Sequence, residues 1–237
     1  MANNYFAFKQ FKILQEKSAM KVGTDGVLLG ALADVSHAKT ILDIGTGTGL
    51  IALMLAQRSR AAIDAIEIDE DAFEEACQNV ATSPWPGRIR LFYLSLQEFS
   101  RKPGKGYDLI VSNPPFFSNS LTSENLQKNL ARHNTSLTPT QLIEGAHHLL
   151  ASSGIFQLIL PAENTQLFIE LGAGCHLFCQ NKIWIKPTPE KAPKRVVLTF
   201  GRNKVTCIEK TLVIESGGRH VYSPTYRELT KDFYLNF

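Results

Sequence analysis

The sequence predicts an α/β protein with one main domain built on a mostly parallel sheet. Two observations carry that reading. Short apolar runs of strand type alternate with segments whose apolar residues recur every three or four positions, the pattern of strands separated by crossover helices. At residues 40–50 (Thr-Ile-Leu-Asp-Ile-Gly-Thr-Gly-Thr-Gly-Leu) one such run enters a loop with Gly45, Gly47 and Gly49 and then opens a helix. With 237 residues and 44% hydrophobic content, the chain can bury one sizeable core without a metal or disulfide staple.

The elements follow in order. Phe6, Phe8 and Phe11 alternate with polar residues in a strand pattern that packs on the main domain. Residues 21–26 are polar and bracketed by Gly23 and Gly26; residues 27–33 read as a short apolar helix, which Thr24 or Asp25 is suited to cap. Residues 40–44 form the first core strand, and residues 50–57 form a helix that is apolar nearly all round, hence buried. Residues 61–68 give the second strand. The acidic run Asp69-Glu70-Asp71 complements the N-terminal dipole of a helix carrying Ala72, Phe73, Ala76 and Val80. Residues 84–87 end that unit, 89–94 form the third strand and 107–112 the fourth.

The fourth strand runs into Asn113-Pro114-Pro115-Phe116, and two prolines cannot continue a central ladder, so the chain leaves the sheet there. Residues 117–130, rich in Asn and Ser, read as a flap. Thr138, Pro139 and Gln141 supply the cap, first-turn proline and third-position glutamine of a helix over 139–150. A strand at 155–160, a helix at 163–171 and strand-like segments at 176–185, 195–200 and 204–215 complete the chain. The connector 186–195 holds three prolines and four basic residues, which makes it stiff, exposed and positive.

Composition sets further bounds. Net charge is +3, divided as 14 basic and 15 acidic side chains in residues 1–150 against 11 and 7 in residues 151–237. That asymmetry permits a polyanionic partner and is equally the mark of a solvated basic face. Cys77, Cys175, Cys179 and Cys207 lack metal-ligand spacing and are expected to be reduced thiols. No run is long and apolar enough for a membrane span, and residues 1–6 lack a secretory pattern, so a cytoplasmic protein is expected. There is no internal repeat and no low-complexity segment.

The glycine loop departs from the dinucleotide fingerprint G-x-G-x-x-G, because Leu50 stands where the third glycine belongs. The spacing is instead G-x-G-x-G, with Asp43 two residues ahead; Glu67 falls twenty residues after Gly47, at the end of the second strand. A tight strand-to-helix turn needs no acid on either side. This arrangement resembles motif I of the class I methyltransferases, which bind S-adenosylmethionine. The resemblance implies that Asp43 faces the ligand's amino-acid portion, that Gly45, Gly47 and Gly49 accommodate its sugar, and that Glu67 accepts both ribose hydroxyls. It also makes Thr24 and Asp25 candidate contacts. At Ser95-Leu96-Gln97 many relatives carry an aspartate that reads the adenine; Ser95 departs from that pattern, so backbone groups and Gln97 are expected to take over.

Asn113-Pro114-Pro115-Phe116 resembles motif IV of the amino methyltransferases. An exocyclic adenine amine is a poor nucleophile because its lone pair is delocalised into the ring. The Asn113 side-chain oxygen and the Pro114 carbonyl are placed to accept its two N–H groups, which favours a localised pair and relieves charge as it develops. Pro115 stiffens the turn, and Asn113 also borders the cofactor site. Phe116 offers a face for a base rotated out of its stack, worth roughly 1–3 kcal/mol. No metal is required. Arg132 is a candidate phosphate contact, and so are Lys191, Lys194 and Arg195 of the connector. His133 is a weaker candidate for catalytic machinery, since a lone histidine is more often structural. The tail (Arg219, His220, Tyr222, Tyr226, Arg227, Lys231, Tyr234) is a basic and aromatic mixture compatible with RNA.

Residues 21–30, 43–50, 67, 113–116 and 131–137 together resemble the bacterial tRNA(Val) adenine-N6 methyltransferase family, over about residues 5–237. The resemblance implies a Rossmann-like domain over residues 1–237: a seven-stranded, mostly parallel sheet with helices on both faces and an antiparallel C-terminal hairpin. Within it, residues 1–35 would cover the cofactor site, 36–202 form the core and 203–237 extend it. It further implies methyl transfer from S-adenosylmethionine, with S-adenosylhomocysteine as product, to the N6 amine of the adenosine following the anticodon of a valine tRNA. No obligate protein partner is evident. Two alternatives stand beside it. A release-factor glutamine N5-methyltransferase shares the carboxamide or amine logic, but usually has Tyr at the position of Phe116 and a separate helical domain ahead of the core. A catalytically silent RNA-binding module would have no need of the intact acid, glycine and Asn-Pro-Pro-Phe set.

Overall fold

A computed structural model describes residues 4–101, 106–115 and 137–237. Strands β1 (Tyr5–Ala7) and β2 (Lys12–Leu14) form a small antiparallel hairpin, followed by helix α1 (Thr24–Leu32). The core then alternates β3 (Thr40–Ile44), α2 (Leu50–Arg58), β4 (Ala62–Glu67), α3 (Glu70–Ala81), β5 (Ile89–Tyr93), α4 (Leu96–Ser100) and β6 (Tyr107–Ser112). Beyond the second gap come α5 (Pro139–Leu149), β7 (Leu150–Pro161), a 3-10 turn at Ala162–Asn164, α6 (Thr165–Gly174), β8 (Phe178–Lys186), β9 (Arg195–Gly201), β10 (Ile208–Val213) and α7 (Pro224–Thr230).

Among the described residues the main sheet has eight strands, in the order β10-β8-β9-β7-β6-β3-β4-β5. Strands β5, β4, β3, β6 and β7 are parallel neighbours, and β9 lies antiparallel between β7 and β8. This is the expected parallel sheet with its antiparallel hairpin, enlarged by one strand. The additional strand is β10, within the strand-like segment 204–215, which pairs in parallel with the outer edge of β8. That edge would otherwise present unpaired backbone groups. Glu209 of β10 fastens the pairing, accepting from Lys182 Nζ at 2.9 Å and Trp184 Nε1 at 3.0 Å.

Side chains of successive strand residues point to opposite faces, so β3 sends Ile41 and Asp43 one way and Leu42 and Ile44 the other. The first face packs on α1, α2, α7 and the N-terminal hairpin through Phe8, Leu29, Leu53, Tyr226 and Phe233; the second packs on α4, α5 and α6 through Phe99, Leu142, Phe156, Phe168 and Phe200. Helix α2 is buried from Leu50 to Ala56, as its apolar circumference predicts, each large side chain contributing about 1.5–3 kcal/mol. Helices α1 and α2 approach so closely that a Cβ at Gly30 would stand 2.6 Å from Met54 Sδ.

Local predictions stand as follows. Thr138 caps α5 with the expected capping box, Gln141 reaching back to the Thr138 amide at 3.0 Å. Helix α1 is capped by neither Thr24 nor Asp25: both lie inside its first turn, Gly23 is the cap residue, and no side chain bonds the free amides there. The four cysteines are free thiols. Cys179 sits 3.7 Å, sulfur to sulfur, from Cys207. Phe116, Arg132, His133 and the flap at 117–130 lie outside the described residues. Among the described residues no helix is long and apolar enough to cross a membrane.

Candidate active site

A cavity of about 630 Å³ opens at the carboxyl ends of β3, β4 and β6, the edge on which open α/β sheets hold ligands. Its floor is the loop from β3 to α2. Gly45, Gly47 and Gly49 have φ of 71°, 56° and 81°, the left-handed region that disfavours a Cβ. At Gly45 and Gly47 a Cβ would meet no described residue within 4 Å, so among the described residues that side of the loop is open for a ligand. Gly49 instead backs onto Ala76 of α3 and is not part of the lining.

The two acids flanking the loop do different work. Asp43 is wholly buried on the α2 side of the sheet and does not line the cavity. Its Oδ2 accepts the Thr46 hydroxyl at 2.6 Å, which holds the loop; its Oδ1 has no hydrogen-bond partner among the described residues. Burial pushes its carboxyl up to about 7, against the pull of the Thr46 hydroxyl and the Ala52 amide, and nearby Glu67 adds to the rise. Glu67 does line the cavity. Its Oε2 accepts the Gly47 amide at 2.7 Å, and its Oε1 accepts those of Ile68 at 2.8 Å and Asp69 at 3.0 Å. Three of about four acceptor positions of the carboxylate are thus occupied by backbone.

The rest of the wall gathers most of the other residues singled out from sequence. Thr24, Asp25, Ser95, Leu96, Gln97, Asn113, Pro114 and Pro115 all line it. Ser95 is the N-cap of α4: its hydroxyl bonds Glu98 Oε2 at 2.6 Å, and the Glu98 carboxylate accepts the Ser95 amide in return at 2.9 Å. These bonds hold the Glu98 carboxyl below its usual range. The serine is therefore committed to capping, which leaves Gln97 exposed beside it. Asn113 follows β6 directly, and Ser112 before it is locked by donating to the Ile44 carbonyl at 2.9 Å.

Besides Asp43 and Gly49, which do not line the cavity, Arg195 differs from expectation. Arg195, expected in the exposed connector as a phosphate contact, belongs to the cavity wall, where its Nε donates to Asp25 Oδ2 at 2.7 Å. It does so because it begins β9, beside the carboxyl end of β7, opposite Pro161. Lys191 and Lys194 are exposed and outside the cavity. Residues 18–21, which the sequence did not single out within the 1–35 segment, form part of the cavity's roof.

The parallel sheet, the open glycine loop and the carboxylate beyond it define a class I methyltransferase site, and S-adenosylmethionine fits it: the open side of the loop carries no Cβ, and the Glu67 carboxylate stands at its edge. Residues 17–167 match the family model described as "Methyltransferase small domain". A solved structure of a predicted O-methyltransferase from Agrobacterium tumefaciens superposes with a TM-score of 0.70 at 18% identity, covering 88% of this chain and 96% of that one. A tRNA1(Val) (adenine(37)-N6)-methyltransferase from Phocaeicola vulgatus is 49% identical over 238 residues, all of both chains. One of the same name from Flavobacterium psychrophilum is 47% identical, covering 97% of this chain and 99% of its own. One from Trichodesmium erythraeum is 45% identical over the full length of both. The chain belongs to the tRNA1(Val) (adenine(37)-N6)-methyltransferase family, and it is an S-adenosylmethionine-dependent methyltransferase.

Proposed function

We propose that the protein methylates the N6 amine of the adenosine following the anticodon of a valine tRNA, using S-adenosylmethionine. The observation that carries this reading is Asn113-Pro114-Pro115 on the wall of the same cavity as the open glycine loop and Glu67. Gly45 and Gly47 would pass the cofactor's sugar, and Glu67 would accept a ribose hydroxyl with its remaining acceptor position. Gln97 and the backbone at Leu96 would meet the adenine. Bound cofactor supplies an electrophilic methyl group on a sulfonium.

The chain's own residues supply orientation. Asn113 Oδ1 and the Pro114 carbonyl accept the two N–H groups of the target amine, which turns its lone pair toward the methyl and disperses the positive charge that builds on nitrogen. The prolines keep both acceptors fixed, so little reorganisation is needed as the charge appears. Phe116 provides the stacking face, and Arg132, Lys191 and Lys194 meet phosphates. In this reading residues 1–237 act as one domain, with 1–35 over the cofactor, 36–202 as catalytic core and 203–237 as an extension, working in the cytoplasm. Methyl-labelled cofactor incubated with bulk tRNA and then digested to nucleosides tests the proposal. Label in N6-methyladenosine of one tRNA species is expected; label in a release-factor glutamine, with tRNA unlabelled, would replace the reading.

A further inference from the structure

The roof of the cavity is irregular chain. Residues 15–23 form neither helix nor strand, yet Ser18 is buried and residues 18–21 face the cavity. A segment without its own ladder must find partners for its buried amides elsewhere. Here they come from helix α3. Glu75, only 2% exposed, accepts three consecutive backbone amides: Glu16 at 2.5 Å and Lys17 at 3.1 Å on Oε1, and Ser18 at 3.0 Å on Oε2. One turn further on, Asn79 is fully buried. Its Oδ1 accepts the Leu14 amide at 2.7 Å, while its Nδ2 donates to the Leu14 carbonyl at 3.0 Å and to the Thr48 carbonyl at 2.9 Å. Within the segment, Gln15 Oε1 accepts the Val22 amide at 2.8 Å and closes the strap on itself.

Thr48 belongs to the glycine loop and lines the cavity, as does Ala72, one turn before Ala76 on the same helix. Helix α3 therefore touches the roof through Glu75, the floor through Asn79 and the wall through Ala72. Every bond that Glu75 and Asn79 make here goes to backbone, so they fix the path of the strap whatever side chains it carries.

We infer that Glu75 and Asn79 are positioning residues for the cofactor, holding the 14–18 strap in register with the glycine loop so that residues 18–21 close over the bound ligand. The inference rests on the reading that this cavity takes S-adenosylmethionine. Neither residue lines the cavity; Glu75 acts through the strap, and Asn79 through the strap and the glycine loop.

The test compares Glu75→Gln with Glu74→Gln. Glu74 pairs with Lys17 of the same strap at 2.6 Å, but at the surface, where both side chains are about half exposed. Solvent screening makes that pair worth little. Replacing Glu75 by glutamine removes one acceptor oxygen from beneath buried amides, and the cofactor Kd and KM should rise about tenfold or more. The kcat at saturating cofactor and the KM for tRNA should stay within about twofold of wild type, as should every constant of Glu74→Gln. Hydrogen exchange in the wild type gives a second measurement that needs no variant. The amides of residues 16–18 should be protected in the free protein and should slow further, together with the glycine loop, when S-adenosylhomocysteine binds. Glu75→Gln with a lowered Tm but unchanged cofactor KM would make Glu75 a folding staple only and overturn the inference. So would strap amides that ignore the ligand. A wild-type protein that binds no cofactor would overturn the functional reading, and the inference with it.

Discussion

The two ends of the cavity are built by different means. At the end formed by the β3 loop and β4, carboxylates and an amide are tied to backbone: Glu67 to three amides, Glu75 to three amides of the strap, and Asn79 to the strap and the glycine loop. At the end formed by β6 and the start of β9, side chains and a stiff proline pair dominate, with Asn113 at the cavity wall and Asp25 paired to Arg195. Backbone bonding fixes shape and suits a ligand that is always the same. A side-chain acceptor and a carbonyl stiffened by proline suit an amine whose charge changes during reaction. Affinity for cofactor should therefore reside at the first end and turnover at the second, and variants at the two ends should fail differently.

The largest effect is expected at the turnover end. Asn113→Ala removes an acceptor that matters most as charge develops, and should lower kcat by about 10²–10³-fold in a labelled methyl-transfer assay. An active variant would remove Asn113 from the mechanism. Glu67→Ala, at the affinity end, should weaken cofactor binding by roughly 1–3 kcal/mol, read by calorimetry. Unchanged affinity would mean that Glu67 only shapes the loop.

Asp43 gives a pH-dependent prediction. Its carboxyl is raised to about 7 in the folded chain, against about 3.9 when unfolded. The folded state thus binds the extra proton between those values, and the group's contribution to stability falls as pH rises from about 4 to about 7. Asp43→Asn keeps an acceptor for Thr46 and carries no charge. Its Tm minus that of wild type should grow more positive from pH 5 to pH 8 in a melting series; a difference constant in pH would refute the buried-charge account.

The smallest effect belongs to the surface. Lys191→Gln with Lys194→Gln should weaken tRNA binding without touching cofactor affinity, and should reduce the slope of log K against log salt by roughly 0.7–0.9 per charge. An unchanged slope would place the RNA elsewhere.

What the sequence disclosed depended on whether a residue's partners are local. The individual strands near the site, the glycine loop and the Thr138 cap are set by neighbours in the chain, and spacing revealed them. Ser95 and Glu98 stand at the serine-to-glutamate spacing of a capping box, a local signal that marks Ser95 as a helix cap. The Asp25–Arg195 pair joins residues 170 apart, and no local pattern announces it. Glu75 and Asn79 left a fainter trace: polar residues flanking Ala76 and Val80 on the buried stripe of α3, where apolar residues belong. Asp43 was legible as important, but strand alternation says only which face it points to, not that it is wholly buried beside the cavity rather than in its lining.

The division of labour between the two ends is tested most directly by titrating S-adenosylhomocysteine into Asn113→Ala and Glu67→Ala side by side with wild type. Asn113→Ala should bind within a few fold of wild type despite its loss of turnover, while Glu67→Ala should bind more weakly by about 5- to 150-fold. Equal losses of affinity in the two variants would contradict the account.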